Sequence, residues 1–379
     1  MKRKLFSVLK ALLCLLCALV SGAAALPLVG GMFLGSSGAF QAPQPVREDY
    51  AVMDRFDMNM HNAVSTALEG VLSLEKVYWL KDSDLVAPRP DPARYGQTDD
   101  PSQLQWLLDQ AQPLLDGQDT LFHTGVELAP GTTVRYYLDD TILAITWKQV
   151  LDNVMYTISE IKIAHPSQFR RFLAGGEYGS GKRMITTDMA SDVNAVVASS
   201  GDFYGFRRVG IHVYNGGVYR VGSGNVDVCL IDENGDLQFL RRGEITDQAG
   251  AEAYVQENRI RFSLAFGPII VENGQRCDPT SYSLGEIRDG YARSALCQRD
   301  KLHYYLVTAN SENGYSTLPT LAAFAGRVHS FGCKMAYTLD GGQTAVIAMD
   351  GEMINRVQFG YQRTISDIIY FATAIPNGA

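Results

Sequence analysis

Cysteine and histidine are scarce in this chain, six of each among 379 residues. His61, His123, His165, His212, His303 and His329 are scattered without the spacing of a metal site or a catalytic triad. That excludes a zinc module and a disulfide-dense scaffold, and no metal or other cofactor is expected. Basic charge is also thin, with 33 Lys and Arg against 41 Asp and Glu and a net charge of −8. A phosphate-coating, nucleic-acid-binding surface is excluded on that balance. No repeat of fixed period is visible. The stretch Gly176 to Arg183 has the glycine and lysine spacing of a phosphate-binding loop but ends in Arg instead of Ser or Thr, and it follows "SQFRRFLA", which reads as a helix.

Charge is absent altogether between Ala11 and Gly35. This run exceeds the roughly 20 residues that cross a bilayer as a helix. Lys2, Arg3, Lys4 and Lys10 precede it, so the reading is a single-pass anchor with a cytoplasmic N-terminus and an extracytoplasmic remainder. The alternative is a signal peptide cleaved near "SGAAA", giving a secreted protein. Cys14 and Cys17 fall inside the run as small apolar side chains; Cys229, Cys277, Cys297 and Cys333 lie outside it, and their pairing is open.

Residues 1–40 thus form the tip and anchor, and 41–130 a membrane-proximal helical and linker region. Within it, Met53, Phe56, Met60, Val64, Leu68 and Val71 recur at helical spacing over 48–76. "VAPRPDPARYGQTDDPSQ" reads as a linker or surface loop. A helix is expected over "PSQLQWLLDQAQPLL", capped by Ser102. Residues 131–379 then alternate β-branched and aromatic runs with Asn-Gly and Asp-Gly turns, interspersed with helices near 247–258 and 317–331. The fold class predicted is α+β, a mixed, largely antiparallel twisted sheet with flanking helices.

In "TLDGGQTAVIAM", Asp340-Gly341-Gly342 is either a hairpin turn or the acid end of a site. "CKMAYTL" reads as a buried strand that delivers Asp340 at its carboxyl end, behind a helix capped by Ser316 or Thr317 and stopped at Gly332. The glycines would let backbone N–H groups approach an anion. In "VVASSGDFYGF" a strand breaks at Ser199-Ser200-Gly201, presents Asp202 and resumes with Phe203 and Tyr204, either as a plain turn or as a second acid beside an aromatic sugar platform. Arg293, at the start of a strand, is either solvated or turned inward to grip a phosphate. Glu272 and Asp188 are reserve acids that read first as surface groups.

The ordered series "SGDFYGF", "NGGVYR", "FGPIIVENG", "ARSALC" and "AYTLDGGQTA" resembles the phosphodiester glycosidase family over roughly residues 185–372. Family members carry Asn where this chain has Ser200 and Thr338, and Ser where it has Thr344. The resemblance implies an exported hydrolase of glycosyl phosphodiesters in envelope glycans or exopolysaccharide, or a non-catalytic glycan-binding or assembly protein on the same fold. It implies a carbohydrate or glycosyl phosphate ligand; the membrane is the other partner expected, through the N-terminal apolar run. Asp340 and Asp202 would then act at the sugar carbon as nucleophile or base and its partner, in either order. Arg293, with the N–H groups of Gly341 and Gly342, would hold the phosphate, and Thr344, Ser200, Gly201 and Tyr204 would complete the site.

Overall fold

The long apolar stretches of the sequence are strands buried on both faces. In Ile142–Leu151, Leu143, Ile145 and Trp147 enter one core while Ile142 and Ala144 enter another, the period of two of a pleated strand with both sides covered. The computed structural model describes residues 77–123, 125–282 and 287–376; the expected anchor and the expected 48–76 helix lie outside them. Among the described residues, no helix is long and apolar enough to cross a membrane.

The larger sheet has nine strands in the spatial order Tyr95–Thr98, Val134–Leu138, Ile142–Leu151, Val154–Ile163, His303–Asn310, Arg293–Asp300, Met335–Leu339, Ile269–Glu272 and Gln275–Arg276. A five-stranded sheet runs Glu352–Met353, Ile347–Met349, Val197–Ser200, Asp367–Phe371 and Phe169–Leu173. Leu237–Leu240, Val228–Asp232 and Ile260–Leu264 make a third. Ile211–Tyr214 and Gly217–Val221 form a hairpin. The α+β, largely antiparallel architecture is therefore present, and the named strands described here pair only antiparallel, without the mixed character expected.

Helices Pro101–Leu115 and Leu321–Ser330 cover one face of the nine-stranded sheet, through Leu104, Leu107, Ala111, Phe324 and Val328. The other face meets the smaller sheets through Ile161, Leu306 and Tyr337 against Val197, Ile347, Phe371, Ile231 and Phe262. Each large side chain removed from water there contributes about 1.5–3 kcal/mol. Helix Thr186–Asp192 closes the far side of the five-stranded sheet with Met189 and Ala190.

Several local expectations shift. Asp100, not Ser102, caps the first helix by accepting from Ser102 N–H, because Pro101 takes the first helical position. Thr320, not Ser316 or Thr317, caps the helix that Gly332 ends. The Pro-rich stretch read as a linker supplies the edge strand Tyr95–Thr98. "SQFRRFLA" is not a helix: Phe169–Leu173 is a strand paired with Asp367–Phe371. Residue 203 lies outside any strand and residues 204–206 form a turn, so no strand resumes there.

Candidate active site

Two strands from different sheets end side by side. Met335–Leu339 of the nine-stranded sheet and Val197–Ser200 of the five-stranded sheet meet where Asp340 N–H points at Gly201 O and Ser200 Oγ at Asp340 O, each at 3.5 Å. Past Asp340 the chain turns through Gly341 and Gly342 into Ile347–Met349, which pairs with Val197–Ser200. Asp340-Gly341-Gly342 is therefore a crossing between sheets, not a hairpin. The glycines serve close packing: a Cβ on Gly341 would lie 2.5 Å from Ala292 O, and Gly342 has φ of +66°. Gly342 N–H already donates to Ala292 O at 3.0 Å, so it is not available to cradle an anion.

Asp340 is 7% exposed and accepts from Arg363 Nη2 at 2.8 Å. Burial raises its pKa, against the pull of Arg363, a hydrogen bond from Thr344 and the charge of Arg207. Thr344 Oγ1 also lies 2.7 Å from Gly341 O. Beside this carboxylate the Phe203 and Phe206 rings stack with centroids 4.2 Å apart. Arg363 lies over both rings, Arg207 over Phe203 and Phe266, and Arg183 over Phe206 at 3.9 Å. Arg207 Nε is buried and, among the described residues, has no hydrogen-bond partner. The result is one carboxylate at a strand end within a cluster of guanidiniums and aromatic faces.

Asp202 is close along the backbone but has different company. Its side chain is fully buried and pairs with Arg171 Nη2 at 2.9 Å. Oδ1 accepts from Tyr204 N–H at 2.7 Å and Oδ2 from Ala265 N–H at 2.8 Å. Arg171 also grips Asp367, with Nε and Nη2 both 2.9 Å from Oδ2, and donates to Ser263 O. Asp367 Oδ2 accepts from Asp202 N–H at 3.2 Å. With two carboxylates on one guanidinium in a dry site, burial and the neighbouring Asp202 push the Asp367 pKa up to about 8. Gly201 is required here, since a Cβ would lie 1.9 Å from Asp367 Oδ2.

The structure thus gathers Ser200, Gly201, Asp202, Asp340, Gly341, Gly342 and Thr344 at one crossing, but it aims the two acids at different cations. Tyr204 is buried, its ring stacked with Tyr178 and against His212, with Arg171 5.5 Å from its centroid. Arg293 starts its strand as expected, but its guanidinium donates to Asp289 O at 2.8 Å and Pro319 O at 3.4 Å. Glu272 pairs with Arg241, and Asp188 is exposed in the first turn of its helix. Sequence reasoning missed Arg171, Asp367, Arg207 and Arg363. Among the described residues no group of His, Cys, Asp and Glu is arranged to hold a metal ion.

Residues 193–372 match the phosphodiester glycosidase family. The SPbeta prophage-derived uncharacterized protein YomE of Bacillus subtilis (strain 168) is 23% identical over 198 residues, which cover 51% of this chain and 30% of that protein. A hypothetical protein from Synechocystis has a similar fold, with a TM-score of 0.51 at 15% identity over 64% of each chain. The catalytic domain of zebrafish N-acetylglucosamine-1-phosphodiester alpha-N-acetylglucosaminidase aligns at a TM-score of 0.49 and 17% identity, over 61% of this chain and 82% of that one. The chain spans less than two thirds of the length of the prophage and Synechocystis relatives. Residues 193–372, which hold Asp340 and most of the side chains around it, are therefore the part of the chain that matches the phosphodiester glycosidase family.

Proposed function

We propose that this protein hydrolyses glycosyl phosphodiesters at the sheet crossing, with Asp340 acting at the anomeric carbon. The observation that carries the reading is the placing of Asp340 beside Arg363 and Arg207, next to the stacked Phe203 and Phe206. A sugar phosphodiester leaves as a phosphate monoester whose second pKa is about 6. Its departure calls for positive charge more than for a proton donor, and the guanidiniums supply that charge. Asp340, its basicity raised by burial, takes the proton of a water that attacks the anomeric carbon as the bond to the phosphate oxygen breaks. Phe203 offers an apolar face to the sugar. Asp202 is assigned to positioning, since its carboxylate ties the segment after Gly201 to Arg171, Tyr204 N–H and Ala265 N–H beside the Asp340 strand end. Arg293, bound to main-chain carbonyls, shapes the Tyr291-Ala292 segment behind the glycines.

The substrate assigned is an envelope glycan or exopolysaccharide, met outside the cytoplasm by a domain exported behind the apolar N-terminal run; the basic residues before that run and its length support this. Asp340→Asn should lower kcat on a chromogenic sugar-1-phosphodiester panel at least about a hundredfold with an unchanged unfolding midpoint. Turnover within a few-fold of the parent protein would overturn the assignment. A second reading, glycan binding without catalysis, is favoured by the closed surroundings of Asp202, which leave one carboxylate for the chemistry. Binding of the panel with no turnover by the parent protein selects it.

A further inference from the structure

A cavity lies away from the sheet crossing, outside residues 193–372 for most of its lining. It has a volume of about 740 Å³ and is walled by the outer side of helix Pro101–Leu115, the strand Val134–Leu138 and the end of Val154–Ile163. That size suits one or two saccharide rings. The helix uses Leu104, Leu107, Leu108, Ala111 and Leu115 for the core, so Trp106, Gln110 and Leu114 are left to line the cavity. Trp106 is 55% exposed, an unusual position for the largest apolar side chain unless its face is used. Tyr136 forms part of the opposite wall.

At one end of the cavity is the ammonium of Lys162, on a residue only 5% exposed. Nζ donates to Lys301 O at 2.9 Å, and among the described residues it forms no ion pair. Lys301 lines the same cavity, and its carbonyl also accepts from Gln118 Nε2 at 3.2 Å. A buried cation with two donors to spare, beside a second lysine, is costly unless an anion meets it or it gives up its proton. Burial and Lys301 lower its pKa to about 8, which leaves it charged at neutral pH. Asp139, also in the lining, is not that anion: its oxygens accept from Tyr137, Thr141, Ile142 and Thr373. Asp116, in the same lining, and Asp300 favour the Lys162 charge through space, too far off to form an ion pair with it. Asp140 and Gln110 offer polar atoms for hydroxyl groups.

We infer that this cavity is a binding site for an acidic saccharide, with a sugar ring stacked on Trp106 and its anionic group held by Lys162 and Lys301. Aromatic faces take the apolar side of a pyranose, and the paired ammoniums select a carboxylate over a neutral ring. The inference does not depend on hydrolysis at Asp340.

The test is titration of the full chain, at neutral pH and low salt, with tetragalacturonate and with cellotetraose as the neutral control, followed by calorimetry. Tetragalacturonate should bind at least about tenfold more tightly than cellotetraose. Trp106→Ala should weaken the acidic ligand at least about tenfold, and Lys162→Met should remove the preference for it while keeping the parent unfolding midpoint. Lys301→Met, at a half-buried position, supplies a second loss of preference if Lys162→Met unfolds the protein. Asp340→Asn should leave both affinities unchanged, which separates this site from the sheet crossing. Failure of tetragalacturonate to bind, equal affinity for the two ligands, or parent-like affinity in Trp106→Ala would overturn the inference.

Discussion

Removing the guanidinium of Arg171 would leave Asp202 and Asp367 buried without the cation they share. Arg171→Met is therefore expected to cost about 3–5 kcal/mol in urea unfolding, and a loss under 1 kcal/mol would show that the acids find other partners. Asp367 carries a separate pH signature. The unfolded chain releases this proton near pH 4 and the folded chain holds it to about 8. Across that window the folded state binds more protons, so this group lowers stability as pH rises. Asp367→Asn keeps the shape without the titration. Between about pH 5 and pH 8 the parent protein should lose on the order of 1–3 kcal/mol more than the variant, and parallel pH profiles would overturn the assignment. Asp340 was legible because a strand, an acid and two glycines are contiguous. Arg171 was not, because its partner Asp367 lies 196 residues away and no local pattern marks a buried arginine. Arg207 and Arg363 were hidden for the same reason, since only folding brings them to Asp340.

At the scale of elements, the crossing from one sheet to the other depends on backbone contact that side chains would block. Gly341→Ala puts a methyl group 2.5 Å from Ala292 O, main-chain atoms that cannot rotate aside. The strand ends must separate, at a cost of about 1–3 kcal/mol. Because Asp340 sits on one of those ends, the same variant should lose sugar phosphodiester turnover out of proportion to its stability; normal kcat at a lowered unfolding midpoint would count against a site at this crossing. Among the described residues, three of the four α-helices announced themselves through helical spacing, two of them with expected caps close to the observed Asp100 and Thr320, and strands such as Val197–Ser200 and Met335–Leu339 did so through apolar runs. The exception that mattered was Phe169–Leu173, where two adjacent arginines resemble the polar side of a helix. In the folded chain both are buried, Arg170 bonded to Tyr370 and to loop carbonyls, Arg171 to the acids. Asp340-Gly341-Gly342 misled in the opposite direction, since a hairpin and a sheet crossing ask for the same turn residues.

For the molecule as a whole, the family-matching residues 193–372 do not hold all of the fold they belong to. The strand His303–Asn310 pairs along its length with Val154–Ile163, and Asp367–Phe371 pairs with Phe169–Leu173, so both of these central strands would become open edges without the preceding chain. Trp147, Ile158 and the helix Pro101–Leu115 packed with them would be lost with that chain, leaving Ala295, Val307 and Ala309 on the same core face without these partners. Leu107 is fully buried there, and Leu107→Ala should cost about 2–5 kcal/mol although it lies far from the sheet crossing. Arg171 is also outside the segment, so Asp202 and Asp367 would face each other without their counter-ion. A fragment of residues 193–372 is therefore expected to be insoluble or to melt without a cooperative transition, whereas the full chain unfolds cooperatively with loss of site and core together. A soluble fragment with a sharp unfolding midpoint and parent-like turnover would show that the first half of the described chain is an accessory, and would move the weight of stability back onto the smaller sheets.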